Sequence, residues 1–106
     1  MDENYVLSGL TIKFKSIYTD YETFMNETRD PIYRTILAAF QSLKEKDSVT
    51  VNVFAEVEKT EFESNLEFTI SNIDILTDVI NPYFESIEDY ESCSEVMKIL
   101  SELVGQ

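Results

Sequence analysis

An alternation of apolar and polar residues over positions 49–70 constrains the fold of this chain more than any other feature. Valines and one alanine occupy every second position in its first part, and mostly large apolar residues do so in its second part. This spacing is typical of strands that bury one face. It predicts a hairpin whose strands cover about residues 48–57 and 62–70.

The pattern also predicts the register of this hairpin. A turn centred on Lys59 and Thr60 would place Val57 opposite Phe62. A shift of one residue would move every apolar side chain into water, so the burial of one face disfavours it. The remaining apolar pairs in this register are Val53 with Leu66, Val51 with Phe68, and Val49 with Ile70.

The opposite face of the predicted hairpin carries acids. Glu58 would face Glu61, and Glu56 would face Glu63. Like charges at such positions repel each other, by a few tenths of a kcal/mol up to about 1 kcal/mol per pair. The acids either protect an exposed sheet from aggregation or recognise a positively charged partner. The partner-binding residues predicted on this face are Phe54, Glu56, Glu58, Glu61, Glu63 and Glu67.

A further strand is expected near the start of the chain. Leu10, Ile12 and Phe14 alternate with polar residues and predict a strand over about residues 5–16. Gly9 is interpreted as a bulge or a change of face within it. Whether the lysines of this strand lie beside the hairpin acids or on a distant edge stays open.

Five helices are predicted from capping residues and from apolar residues at helical spacing. Thr19 and Ser92 are expected to open capping boxes, and Pro31 to occupy the first position of a long helix. Pro82 should break a helix and open a further turn, and Gly105 should cap the last helix. The predicted helices cover about residues 20–28, 31–46, 72–80, 83–90 and 93–104.

These elements predict an α+β fold. The expected arrangement is a single domain over residues 1–106, with a small, mainly antiparallel sheet of three strands and helices packed on one of its faces. The 13 aromatic residues (7 Phe and 6 Tyr) supply volume for a core and argue against disorder.

The charge of the chain is strongly negative and uneven. The formal net charge is −13. Residues 1–53 carry 8 acids and 6 bases, a net of −2, and residues 54–106 carry 13 acids and 2 bases, a net of −11. An anionic field repels nucleic acids and anionic membranes and attracts basic proteins. Excess acid also serves solubility alone, so both interpretations stay open.

A second group of acids lies in the densest acidic run of the chain, residues 85–91. It lacks the residue order of a calcium-binding loop. A magnesium site built from carboxylates is an alternative to the interpretation as a partner-binding surface. The candidate residues in this run are Glu85, Glu88, Asp89 and Glu91.

The composition argues against catalysis. The chain has no histidine, which removes the commonest general base. Its single cysteine, Cys93, cannot build a structural zinc site, and its two glycines cannot form a glycine-rich phosphate loop. We therefore expect no enzyme activity, no cofactor and no bound metal.

The expected location is the cytoplasm. The start, from Met1 to Glu3, lacks the basic region of a signal peptide. No apolar run approaches the roughly 18 residues of a membrane span, and the lone cysteine suits a reducing compartment.

Three kinds of binding protein remain as functional hypotheses. Carboxylates on one strand face repeat every ~6.6 Å, comparable with two ~3.4 Å steps along a DNA strand. The chain is similar in size and charge to small acidic phage proteins, such as anti-CRISPR proteins, that block host nucleases or defence complexes by imitating nucleic acid. That resemblance implies a basic, nucleic-acid-binding protein partner in the host cytoplasm. It implies no direct contact with nucleic acid or membrane.

Two alternatives keep the acidic character but change the partner. One is an immunity or antitoxin protein that neutralises a basic toxin enzyme, with exposed aromatic residues such as Phe54, Tyr83 or Tyr90 at its interface. The other is a small acidic chaperone or assembly factor that covers apolar surface on its client. The protein is expected to be a monomer or a homodimer in each case.

Overall fold

The computed structural model describes residues 4–104 of the chain and has an α+β fold. It divides into two compact units. The first contains the chain up to Ile36 together with residues 50–67, and the second contains residues 37–49 together with the chain from Phe68 onward. The single-domain organisation stays a prediction.

Four strands and three α-helices are found among residues 4–104. The strands form one sheet in the order β1-β2-β3-β4. A 3₁₀ turn and a π turn precede α2. The elements in chain order are β1 (Tyr5–Ser8), β2 (Thr11–Tyr18), α1 (Tyr21–Ser42), β3 (Val49–Val57), β4 (Thr60–Phe68), the 3₁₀ turn (Ile70–Asn72), the π turn (Leu76–Ile80), α2 (Asn81–Ser86) and α3 (Tyr90–Val104).

The predicted first strand is in fact two strands. β1 and β2 pair antiparallel, with Ser8 opposite Thr11. The chain reverses at Gly9, whose φ of +60° lies in the left-handed region that glycine adopts at little cost. The prediction of one continuous strand was wrong because this glycine forms a turn rather than a bulge.

The sheet is mixed, whereas a mainly antiparallel one was predicted. β2 and β3 pair parallel, with Ile12 opposite Val53. α1 lies between them in the chain and provides the long crossover that parallel neighbours need. The register shifts between Lys13, which is opposite Phe54, and Ile17, which is opposite Glu56. β2 therefore carries two extra residues at this irregularity.

The β3–β4 hairpin forms, but its turn lies one residue earlier than predicted. Glu58 and Lys59 have φ values of 53° and 63°, as the two central residues of a type I′ turn require. A two-residue turn brings Val57 opposite Thr60. Each residue of β3 is therefore opposite a β4 residue two positions earlier than predicted. A shift of two residues keeps each side chain on its predicted face. Val49, Val51, Val53, Val57 and Phe68 are buried as expected, but Ile70 is exposed and lies beyond the strand.

The first two predicted helices are one helix, α1, with Pro31 inside it. The proline removes one backbone donor from the helix. Phe24, which precedes the proline in the chain, and Ile36, which follows it, are both buried, and this burial favours a continuous helix. Asp30, which would be the N-cap of a helix that began at Pro31, instead forms an ion pair at 2.7 Å with Arg34 one turn later. The helix ends at Ser42 rather than near residue 46.

The start of α1 also differs in detail from the prediction. Asp20, rather than Thr19, caps the helix, because its carboxylate accepts a hydrogen bond of 2.7 Å from the backbone N–H of Thr23. The N-cap predicted at Thr19 was therefore one residue too early.

The helix predicted over residues 72–80 is replaced by the 3₁₀ turn and the π turn. The backbone N–H of Asn81 donates to the carbonyl of Leu76, five residues earlier. This wider turn runs directly into α2, so Pro82 does not interrupt the helical segment as predicted. It does open the following helix, as expected, because it occupies the first turn of α2.

The last two helices have different limits from those predicted. α2 ends at Ser86, where a helix over residues 83–90 was expected. α3 begins at Tyr90 rather than near residue 93, because Asp89 accepts a hydrogen bond of 3.1 Å from the backbone N–H of Ser92. Ser92 therefore lies inside the helix and does not open a capping box. Gly105, the predicted C-cap, lies outside the described residues.

Aromatic residues dominate the core of the first unit. The ring of Phe24 on α1 lies 6.0 Å from Phe14, 5.2 Å from Tyr18 and 5.1 Å from Phe62, measured between ring centroids. These contacts pack α1 against one face of the sheet and leave the opposite face, on which the acids lie, without this cover.

The core of the second unit has its own set of apolar residues. The rings of Phe40 and Phe68 lie 5.2 Å apart. The residues buried with them are Leu43, Leu76, Ile80, Phe84, Val96 and Ile99.

Candidate functional site

The outer face of the β3–β4 hairpin, in the first unit, gathers three exposed carboxylates. Glu56 projects from β3, and Glu61 and Glu63 project from β4. The two-residue turn places Glu56 opposite Glu61. These three acids line an open groove of about 500 Å³. We refer to Glu56, Glu61 and Glu63 as the hairpin acids.

Two lysines lie in the same groove, which answers a question that the sequence left open. Lys13 and Lys15 project from β2, the neighbour of β3, beside the hairpin acids. The ammonium of Lys13 lies 5.6 Å from the ring centroid of Phe54, within range of a cation–π interaction. Neither lysine forms an ion pair within 4.0 Å with an acid among residues 4–104. The groove therefore has opposite charges on its two sides.

The three other residues predicted to bind a partner on this face differ in location and exposure. Glu58 belongs to the turn rather than to the strand. Glu67 is exposed near the end of β4. Phe54 is half-buried, beneath the Lys13 side chain, and is not a freely exposed aromatic.

The uneven charge of the two sequence halves does not carry over to the two structural units. The first unit, with the N-terminal segment included, has 11 acids and 5 bases, a net of −6. The second has 10 acids and 3 bases, a net of −7. The contrast disappears because four of the six bases of the N-terminal half lie in the same unit as the acidic hairpin.

The acidic run of residues 85–91 lies in the second unit, and three of its four candidates have local structural roles. Glu85 accepts a hydrogen bond of 3.1 Å from the side chain of Asn81. Asp89 caps α3, and Glu91 in its first turn interacts favourably with the helix dipole. Glu88 occupies the intervening loop with a φ of +58°. The end of α2 and the start of α3 thus account for much of the acidic composition of this run.

The side chains described here do not gather a metal site. Among residues 4–104, no three Asp, Glu or Cys side chains converge in a way that could hold a cation. The carboxylate magnesium site considered for residues 85–91 therefore has no geometric support in this part of the chain.

Cys93 has the features of an unreactive thiol. It lies in the first turns of α3, where burial, and then the nearby carboxylates of Glu85 and Asp89, raise the pKa of its thiol. A thiol with a raised pKa carries little thiolate at neutral pH and is a poor nucleophile.

Two groups of apolar residues are exposed, and of these only Tyr90 was predicted from the sequence to be exposed. Tyr21 and Met25 are 44% and 55% exposed, although Phe24, which shares one side of α1 with them at helical spacing, is buried. In the second unit, Tyr90 and Met97 line a groove of about 380 Å³ and are 64% and 59% exposed. Helical spacing gives the face of a residue, but it does not show whether a neighbour covers that face.

No helix between residues 4 and 104 combines the length and apolarity needed to cross a membrane. Comparison of the chain with protein-family models, curated proteins and solved structures finds no significant match.

Proposed function

We propose that this protein is a non-catalytic acidic binding protein, of the kind that phages use as inhibitors. It occupies a basic, nucleic-acid-binding surface of a host or defence protein in the cytoplasm. The observation that carries this proposal is the exposure of Glu56, Glu61 and Glu63 together on an uncovered sheet face. Glu56 and Glu61 face each other across the strand pair, and like charges in such positions oppose stability. A role in recognition explains their presence.

The spacing of the hairpin acids supports this proposal. Carboxylates on one strand face repeat every ~6.6 Å, and cross-strand neighbours lie ~5 Å apart. The first interval is comparable with two steps of ~3.4 Å along a DNA strand, and the second is shorter. Lys13 and Lys15 reduce the negative potential on the β2 side of the groove, so the β4 side is the stronger attractor for a basic partner.

The experiment is a pull-down in which the immobilised protein captures partners from a lysate of its source organism or of that organism's host. Captured proteins are eluted by graded salt in one arm and by an excess of duplex DNA in the other. We expect a basic nucleic-acid-binding protein to be released by both treatments, because salt screens its contacts and DNA competes for the same surface. Capture of proteins that DNA does not displace would contradict the proposal.

A control variant separates the effect of the hairpin acids on binding from the effect of net charge. The site variant replaces Glu56, Glu61 and Glu63 by glutamine. The matched control removes three exposed acids elsewhere, with the substitutions Glu27→Gln, Glu45→Gln and Asp47→Asn. Only the site variant should lose the partner.

One observation favours a second candidate, neutralisation of a basic toxin enzyme. Tyr90 is the exposed aromatic residue that such an interface would place at its centre, and Met97 lies beside it. In that case the partner would resist elution by salt, and Tyr90→Ala would release it while the glutamine variant of the hairpin acids would not.

A further inference from the structure

We propose that the free edge of β4 is a docking site for an extended basic segment of the partner, which adds to the sheet as a fifth strand. This inference rests on the proposed function and specifies how the partner is recognised. Three features support this inference. They are the unpaired backbone of β4, its row of acids, and an apolar shelf beside its inner face, formed by Phe62 and Leu66 together with Tyr21 and Met25 of α1.

The first feature is the length and openness of the edge. β4 spans Thr60–Phe68, nine residues, and is the last strand of the sheet order. Among residues 4–104, no further strand pairs with its outer side. The opposite edge strand, β1, has only four residues. A long edge with unpaired N–H and C=O groups is a template for another strand, and strand addition is a common mode of peptide recognition.

The turn determines which backbone groups face this edge. In a type I′ turn the carbonyl of Val57 accepts from the N–H of Thr60, which makes these residues a hydrogen-bonded pair. Hydrogen-bonded and non-bonded pairs alternate along antiparallel strands. The even-numbered residues of β4 therefore bond to β3. The residues whose backbone groups point to the free edge are Glu61, Glu63, Asn65 and Glu67.

The second feature selects a basic partner over a second copy of this chain. Glu61, Glu63 and Glu67 project from the outer face of β4 and are exposed. Two antiparallel copies of β4 centred on Ser64 would place Glu61 of each copy opposite Glu67 of the other, and like charges at such positions repel. A strand with lysine or arginine at alternate positions would place cations beside the same acids.

Lys13 and Lys15 do not oppose this arrangement. Adjacent strands lie ~4.8 Å apart, so an added strand would be one interval from β4 and three intervals, about 14 Å, from β2. That distance exceeds the Debye length of about 8 Å at physiological salt. The partner's cations would therefore be attracted by the β4 acids and screened from the β2 lysines.

The third feature is an apolar shelf on the inner face of this edge. Phe62, Ser64 and Leu66 point towards the core but are only half-buried, whereas the inward valines of β3 are buried. The exposed ring of Tyr21 lies 6.0 Å from the ring of Phe62. Met25 is one turn further along α1 on the same side and is also exposed. The apolar side chains of an alternating basic strand would cover this shelf.

The test uses a capped nine-residue peptide of alternating valine and lysine and measures its affinity for the full chain. A control peptide has the same sequence but carries N-methyl groups on alternate backbone amides, so that it keeps its charge and cannot pair with the edge. We expect the N-methylated peptide to bind about tenfold more weakly or worse, since several backbone hydrogen bonds are lost.

A pair of variants tests the same edge from the protein side. Asn65→Pro removes an outward-facing N–H without changing charge, at an edge position where proline is tolerated, and Asn65→Ala is its matched control. We expect about a tenfold loss of peptide affinity for Asn65→Pro and no change for Asn65→Ala. Hydrogen exchange should show new protection of the Glu63 and Asn65 amides when the unmethylated peptide is added.

The outcomes separate this inference from the function on which it rests. Equal, salt-sensitive binding of both peptides would overturn strand addition and leave recognition by the acids standing. Absence of binding at low salt would contradict both. A dimer of the wild-type chain that Asn65→Pro dissociates would overturn the choice of a basic partner, because a second copy would then occupy the edge.

Discussion

Asp20 shows how one side chain defines the start of a structural element. Its carboxylate accepts hydrogen bonds of 2.7 Å from the backbone N–H of Thr23 and 3.2 Å from its hydroxyl. The bond from this N–H, and then the bond from the hydroxyl, lower the pKa of Asp20 from its ordinary value of 3.8. The charged carboxylate therefore stabilises the folded state through the N-terminus of α1.

This cap predicts a defined dependence of stability on pH. Because the pKa is lower in the folded state, its stabilisation is complete above the unfolded value near 3.8 and disappears as the pH falls through the lower folded value. Asp20→Ala should lower the thermal midpoint near neutral pH, and the difference from wild type should shrink below pH 3.8. Melts across this range measure the effect. A difference that stays constant with pH would show that the carboxylate does not act through its charge.

At the scale of elements, the parts of the fold that depend on local pattern were predictable. The alternation of the valines identified β3 and its buried face. Ile32, Ile36, Phe40 and Leu43 recur at helical spacing, which predicts one buried stripe. Ile36 and Phe40 are buried on α1 and Leu43 is buried just beyond its end, whereas Ile32 is half-buried. These predictions hold because the burial of one face follows from side-chain periodicity alone.

The parts that depend on distant residues or on turn geometry were not predictable. The parallel pairing of β2 with β3 arises from contacts between residues some 40 positions apart, and it alone places Lys13 and Lys15 beside the hairpin acids. The turn at Glu58 and Lys59 was missed because neither residue is a usual choice for a positive φ. The exposure of the acids was therefore foreseeable from the sequence, and the lysines beside them were not.

The corrected turn makes a prediction about Glu56 and Glu61. Since these residues face each other, Glu61→Lys should replace a repulsion by an attraction and raise the free energy of unfolding by about 1 kcal/mol. Adding Glu56→Lys should remove that gain, because two lysines would then face each other. Thermal or denaturant melts of both single variants and the double variant measure the coupling.

The turn first predicted from the sequence has the opposite consequence. With a turn at Lys59 and Thr60, the two residues would belong to different pairs, and the gains of the single variants would add in the double variant. An additive double variant would therefore contradict the register in which Glu56 faces Glu61.

At the scale of the whole molecule, the net charge of each unit and the arrangement of its acids give different expectations for where a partner binds. The two structural units carry similar charges of −6 and −7, so bulk charge does not distinguish them. The hairpin acids are distinguished instead by the facing positions of Glu56 and Glu61, by the exposure of all three and by the open edge beside them. The helix-terminal roles of Glu85 and Asp89 make residues 85–91 a weaker candidate surface.

The central claim is that the hairpin acids recognise a basic partner, and the salt dependence of binding tests it most directly. The measurement is a set of titrations of the captured partner at several ionic strengths. The wild-type chain is compared with the glutamine variant of Glu56, Glu61 and Glu63 and with the matched control at Glu27, Glu45 and Asp47. We predict that the site variant loses both affinity and salt dependence, because charge contacts between the proteins disappear. The control should keep both. Equal losses in the two variants would contradict the claim, because net charge rather than this face would then govern binding.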